Sequence, residues 1–204
     1  MSQIFDDQPL GQMAIKSNSA IGTLAVVTGL TVSHKQNGTN VRSTFTLAAV
    51  PQSVINGTEY QSTLLFTFPK GEIQIKSVQA TLAETTTSAI AGTLNSGVTG
   101  AVGVGSTAAV STTLATTAQN FIPTTAFVTS TVINVAAASV SPILGTGVSG
   151  DFFVLGSNTT AAKLYLNSAF ATTTDVDADA TMTWTGSVTV TWELLSYPMS
   201  IFGS

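Results

Sequence analysis

Cysteine is absent and histidine occurs once, at His34. Such a chain cannot assemble a Cys nucleophile, an iron–sulfur cluster or a Cys/His zinc site. Charge is scarce too. Asp, Glu, Lys and Arg make up 8% of the 204 residues, against about 25% in an average soluble domain. The six basic residues (Lys16, Lys35, Arg42, Lys70, Lys76 and Lys163) are scattered, and the net charge is −4. Nucleic-acid binders gather Lys and Arg on one face to displace counterions from phosphate, so no nucleic-acid partner is expected. No apolar run reaches the ~18 residues of a membrane span, so no membrane partner is expected either. The opening Met1–Asp7 has neither the basic start nor the apolar stretch of a secretory signal.

What is abundant is just as informative. Hydrophobic residues are 44% of the chain, and Thr and Ser together are roughly 28%. The chain is too apolar for a fully disordered protein, and it lacks the A/E/K/L/R bias of a long helical one. Its length suits one domain, able to bury about 70% of its unfolded surface without a disulfide or metal staple.

Period two dominates the C-terminal third. From Thr181 to Leu194 the residues alternate: Met182, Trp184, Val188, Val190, Trp192 and Leu194 on one face, with Gly186 among them, and Thr183, Thr185, Ser187, Thr189, Thr191 and Glu193 on the other. That pattern predicts a long, half-buried strand. Gly186 has no side chain to pack and marks a bulge, or a bend that lets the strand serve two sheets. Further strands are expected at 21–32, at 41–50 (closed by Pro51), at 61–68 with Leu64, Phe66 and Phe68 inward, at 72–83 and at 163–170. Pro69-Lys70-Gly71 forms a tight join between two of them. Asn37-Gly38-Thr39, Asn56-Gly57-Thr58 and Asn158-Thr159-Thr160 match the glycosylation sequon but read as turns, since Asn-Gly favours hairpins.

Residues 85–150 contain no charged residue and no histidine. A low-complexity, disordered linker is one reading; but β-branched and charge-free, the stretch reads better as short strands whose small side chains let another sheet or subunit approach, and as a surface covered in an assembly. Both termini read as arms, 1–14 and 195–204, flanking a domain at 15–194. Ile4, Phe5, Met199, Ile201 and Phe202 are the candidates for docking on a neighbouring chain, because large apolar side chains on a free end are a liability unless covered.

The chemical motifs are weak. Asp175, Asp177 and Asp179 have a spacing that gathers carboxylates for calcium, but the EF-hand positions for Gly and Glu hold Ala180 and Gly186, so an exposed acidic loop is expected. His34 is read as a solvated turn residue, and no G-x-S-x-G elbow accompanies it. Gly97, Gly100, Gly103 and Gly105 lack the Lys-Ser/Thr of a phosphate loop and read as a loop or flexible strand joint. Glu59, Glu72, Glu84 and Glu193 are the only glutamates from which a glycosidase pair could be drawn. Glu193 itself reads as a solvated or cross-strand-paired charge. No cofactor, no metal and no catalytic residue is assigned, and an enzyme is not expected.

Two segments carry a resemblance. Phe66-Thr67-Phe68-Pro69-Lys70-Gly71-Glu72-Ile73-Gln74-Ile75 is similar to an F-P-x-G-x-I-x-I segment. Ala162-Lys163 to Asn167, the acidic residues 175–179 and Thr181 to Glu193 are similar to an A-K-x-x-x-N…D…T-x-T-G-x-V-x-x-x-W ending, and Gly103–Ala109 and Ile122-Pro123-Thr124-Thr125 fit between them. In this order they resemble virion structural proteins of tailed bacteriophages. The resemblance implies an all-β, jelly-roll-like antiparallel β-sandwich on the capsid surface: a cement or decoration protein, often a homotrimer, whose partners are the major capsid protein and itself. Another virion component (major capsid, tail or fibre protein) and a glycan-binding or depolymerase module are the alternatives.

Overall fold

The computed structural model describes residues 21–86, 99–128, 153–157, 159–170 and 179–196. Ten strands follow in chain order: β1 (Thr23–Leu24), β2 (Leu30–Asn37), β3 (Asn40–Val54), β4 (Tyr60–Thr67), β5 (Glu72–Thr86), β6 (Thr99–Gly105), β7 (Ile122–Val128), β8 (Phe153–Leu155), β9 (Lys163–Phe170) and β10 (Ala180–Ser196). They form two five-stranded antiparallel sheets, ordered β1-β4-β9-β6-β7 and β2-β3-β10-β5-β8. The pairs β3/β10, β4/β9, β5/β8 and β6/β7 are all antiparallel neighbours. One half of the chain therefore doubles back along the other as a single ribbon, and successive pairs roll into alternate sheets. That is the strand order of a jelly roll, which agrees with the expected β-sandwich. β1 and β2 are added at one border of the sandwich, beside β4 and β3.

β10 explains why the ribbon holds. It pairs with β3 on one side and β5 on the other almost throughout its length. Met182, Trp184, Val188, Val190 and Trp192 face inward and are fully buried. The two tryptophans seed aromatic clusters across the interface. Phe68 meets Trp192 edge-on at 5.3 Å and leads to Phe66 and Phe45, while Phe127 meets Trp184 edge-on at 5.3 Å and touches Phe170. Edge-to-face pairs add about 0.5–1.5 kcal/mol each beyond the area they bury.

Polar groups also join the layers. Gln52, on β3, is 3% exposed. Its Nε2 donates to Thr63 Oγ1 (3.3 Å) and Leu166 O (3.2 Å), and its Oε1 accepts from Ser168 Oγ (2.7 Å) and Trp184 Nε1 (2.8 Å). One amide thus bonds three strands of the two sheets. Asn167, fully buried on β9, does the same for the loop after β6. Its Oδ1 accepts from Ser62 Oγ and Ala109 N, and its Nδ2 donates to Thr107 O and Ala118 O. Asn120 adds bonds to Ser106 and Gln119 one to Leu114 O, so side-chain amides hold a charge-free loop without ion pairs.

Several details differ from the sequence expectation. The segment 21–32 is two strands in different sheets, because the chain turns at Thr28-Gly29 and crosses the border of the sandwich. Pro51 does not close β3. β2 covers β3 only from Asn40 to Leu47, so Pro51 has a strand on one side alone, where a missing N–H is tolerated. On β4 the inward residue is Leu65, not Leu64, because the register slips between Leu64 and Phe66. β10 extends through Leu195 and Ser196, past the expected end at 194, and it stays in one sheet. The bulge expected at Gly186 is present, with the extra residue on β3: Trp184 faces Val50 and Gly186 faces Leu47. Gly100, Gly103 and Gly105 lie in β6, where the ring of Phe127 occupies the place of a Gly100 side chain. The sequons Asn37–Thr39 and Asn56–Thr58 do form turns, closing the β2–β3 hairpin and the β3–β4 connection.

Two substitutions test this packing. Gly186 has φ +124°, and a Cβ there would lie 2.0 Å from Thr81 O. Gly186→Ala is expected to lose about 1–3 kcal/mol from backbone strain alone, read by denaturant unfolding. Gln52→Ala strands the Trp184 N–H and Leu166 carbonyl, and its expected loss is about 2–4 kcal/mol by the same measurement.

Candidate interaction face

The alternation that buries one face of β10 presents the other to solvent. Register aligns that face with its neighbours in three rows across four strands: Thr31–Thr46–Ser187–Thr81, Ser33–Thr44–Thr189–Gln79 and Lys35–Arg42–Thr191–Ser77. All twelve side chains are exposed or half-buried. Nine carry hydroxyls, and the Thr44 and Thr189 hydroxyls meet at 3.3 Å. With strands ~4.8 Å apart and rows two residues apart, the grid spans about 14 Å by 14 Å. Thr183, placed by the alternation on the polar face, is buried, so the exposed hydroxyl row along β10 starts at Thr185.

The charges on this grid share one sign. Lys35 and Arg42 are direct cross-strand partners, both exposed, with no carboxylate in the three rows. Like charges opposite one another cost stability. In an acidic chain, the face keeps a small cationic corner. The next charged pair along the sheet is Lys76 with Glu193, at 2.5 Å. The Lys76 ammonium, followed by the Thr39 hydroxyl, holds the Glu193 carboxyl below the usual carboxylate range. The cross-strand-paired reading of Glu193 therefore holds.

His34 is not a turn residue. It lies mid-strand on β2, half-buried, tilted against Phe66 with ring centroids 5.8 Å apart. Its Nδ1 lies 2.8 Å from Oγ of Ser43, its partner in register, and Trp192 Nε1 donates to the same oxygen at 2.9 Å. Ser43 Oγ thus bridges the His34 ring and the Trp192 indole. Burial lowers the His34 pKa from its ordinary value. Ser43 is fully buried, so this Ser–His pair is a brace beneath the hydroxyl face. Sequence reasoning missed it because it placed His34 outside the strand.

The glutamates are spread over the fold. Glu72 opens β5 and is exposed, while Glu59 and Glu84 are buried. Glu84 sits opposite Trp184, nine positions along β10 from Glu193, about 30 Å. That separation of Glu84 from Glu193 is far beyond the ~5–10 Å between glycosidase carboxylates, whereas Glu72, opposite Ser196, stands three positions along β10 from Glu193. Of the three aspartates, Asp179 caps a turn by accepting the Asn56 N–H at 3.0 Å. Asp175 and Asp177 lie outside the described residues, as do Ile4, Phe5, Met199, Ile201 and Phe202. Among the described residues no group of three or more His, Asp or Glu is placed to hold a metal ion, and no helix is long and apolar enough to cross a membrane. Comparison with protein-family models, with curated proteins and with solved structures returns no match to this chain.

The lowered His34 pKa has a definite consequence. The unfolded chain binds a proton at His34 more readily than the folded one, so the contribution of the neutral imidazole is present above the unfolded pKa, near 6.5, and is lost as pH falls below it. The melting temperature is expected to drop between pH 7 and pH 5, and His34→Gln is expected to flatten that slope.

Proposed function

We propose that this chain is a virion structural protein: a cement protein that lays the hydroxyl grid of the β2-β3-β10-β5 sheet on a tailed-phage shell and clamps adjacent major capsid proteins. The observation that carries this reading is the grid itself, twelve aligned side chains whose only charges are two cations, Lys35 and Arg42, that form no ion pair among the described residues. Hydroxyls lose less on desolvation than charges do, and they donate or accept as the partner requires. A regular polar array therefore suits a matched, partly wet interface. The Lys35–Arg42 corner fixes orientation by meeting carboxylates on the partner, which raises the association rate more than the affinity.

A second feature points the same way. The loop after β6 exposes Thr107, Val110, Ser111, Thr113, Thr116 and Thr117, with no charge among them, and Val110 is 71% exposed. A jelly roll hosts many functions and decides none of them. It does supply rigid sheets that present flat faces. A protein that binds only the assembled shell stabilises it by mass action, without a catalytic step.

The test is co-sedimentation with empty shells. The chain is expected to pellet with shells, to remain in solution alone and to raise the shell's melting temperature. Thr46→Glu with Thr81→Glu puts two carboxylates on the grid at exposed positions. It is expected to lower shell occupancy at least tenfold, about 1.4 kcal/mol, while leaving the chain's own melting temperature unchanged. Unchanged occupancy in this variant counts against the hydroxyl grid as the docking face.

A further inference from the structure

The sandwich has an open seam. β2 covers β3 only as far as Leu47, and β1 covers β4 only at Thr67 and Phe66, with a last bond from Ala25 N to Leu65 O. Beyond that crossing Val50–Val54 of β3 pairs only with β10, and Tyr60–Leu64 of β4 only with β9. Among the described residues nothing pairs with these two edges. Between them lies a groove of about 540 Å³, lined by Val26, Pro51, Gln52, Gln61, Thr63 and Leu64 among others, none of them charged. Val26 stands fully exposed at its mouth. Gln61 is 8% exposed; its Nε2 donates to Ser168 Oγ, but its buried Oε1 takes no hydrogen bond. Two free strand edges and one unused buried acceptor are what an incoming strand requires.

We infer that the groove takes residues 197–204 of a second copy of this chain, added as a strand along the free edge of β4. The reading of the protein as an assembling virion component underlies this step, and the occupant follows from chemistry and reach. Tyr197–Ser204 carries no charged side chain and offers Met199, Ile201 and Phe202, matching a groove without charge. Residues 1–14, the other apolar arm, carry Asp6 and Asp7, for which the groove has no counter-charge. The groove's own tail is out of range. Ser196 lies opposite Glu72, whereas the groove is level with Met182 opposite Gln52, fourteen positions back along β10, or about 46 Å. Eight extended residues span at most about 28 Å. The contact is heterologous, tail to groove; repeated from copy to copy it gives a ring where the rotation closes and a filament where it does not.

The chain has no cysteine, which makes the test clean. Two single variants of the full chain, Ser53→Cys at the rim of the groove and Ser200→Cys in the tail, are mixed and oxidised with oxidised glutathione, one of them tagged. The expected product is the mixed disulfide in large excess over either like-with-like dimer. Val26→Asp on the Ser53→Cys chain is expected to cut its yield at least tenfold. A statistical mixture of the three dimers, no dimer, or a yield insensitive to Val26→Asp overturns the inference. If the mixed disulfide fails while the wild-type chain still binds shells, only the tail contact is lost. If it forms and shells are ignored, the contact stands and the cement reading falls.

Discussion

The period-two division of β10 is the constraint to which the rest of the molecule is referred. One face gives Trp184 and Trp192 to the core, and the other gives Ser187, Thr189 and Thr191 to the surface. Because β10 is flanked on both sides, a slip of one residue would bury a row of hydroxyls and expose two tryptophans. Register is therefore strongly specified, and the flanking strands inherit it. Thr46 and Thr81 stand in one row because each pairs with Ser187. The surface grid is the outward copy of the packing beneath it.

Few charges mean that orientation inside the sandwich must come from amides, hydroxyls and indoles. Gln52 ties Trp184 to β4 and β9, and Ser43 ties Trp192 to His34. Both indole N–H groups thus bond a residue of β3 while their rings pack across the sandwich. Such networks are costly when half-made and directional when complete, so they select one arrangement of an otherwise adaptable apolar core. Gln61 Oε1, beside the open seam, is one of four buried side-chain oxygens left over among the described residues, with those on Asn40, Glu59 and Glu84.

Much of this was legible in the residues. β9 runs over the expected 163–170, and the faces of β10 follow the alternation of its sequence apart from Thr183. Local pattern suffices where a strand is long and one face is apolar. It fails where a neighbour decides. Pro51 is harmless only because β2 has already ended, Leu65 turns inward only through a register slip against β9, and the glycines of β6 fit a strand because Phe127 crowds Gly100 and the Thr117–Ala118 backbone crowds Gly105. The Ser43–His34 pair and the three-row grid are products of cross-strand register, which a single segment does not reveal. The expected docking residues at the two termini lie outside the described residues. The face and the groove are the candidate surfaces that the strands themselves place.

The most direct measurement is an electron cryomicroscopy reconstruction of tailed-phage shells incubated with the chain. The sandwich is expected on the outer surface with Thr31, Thr44, Thr189 and Thr81 turned toward the major capsid protein. Shells that carry no added density, or a bound sandwich with that face turned to solvent, would contradict the account.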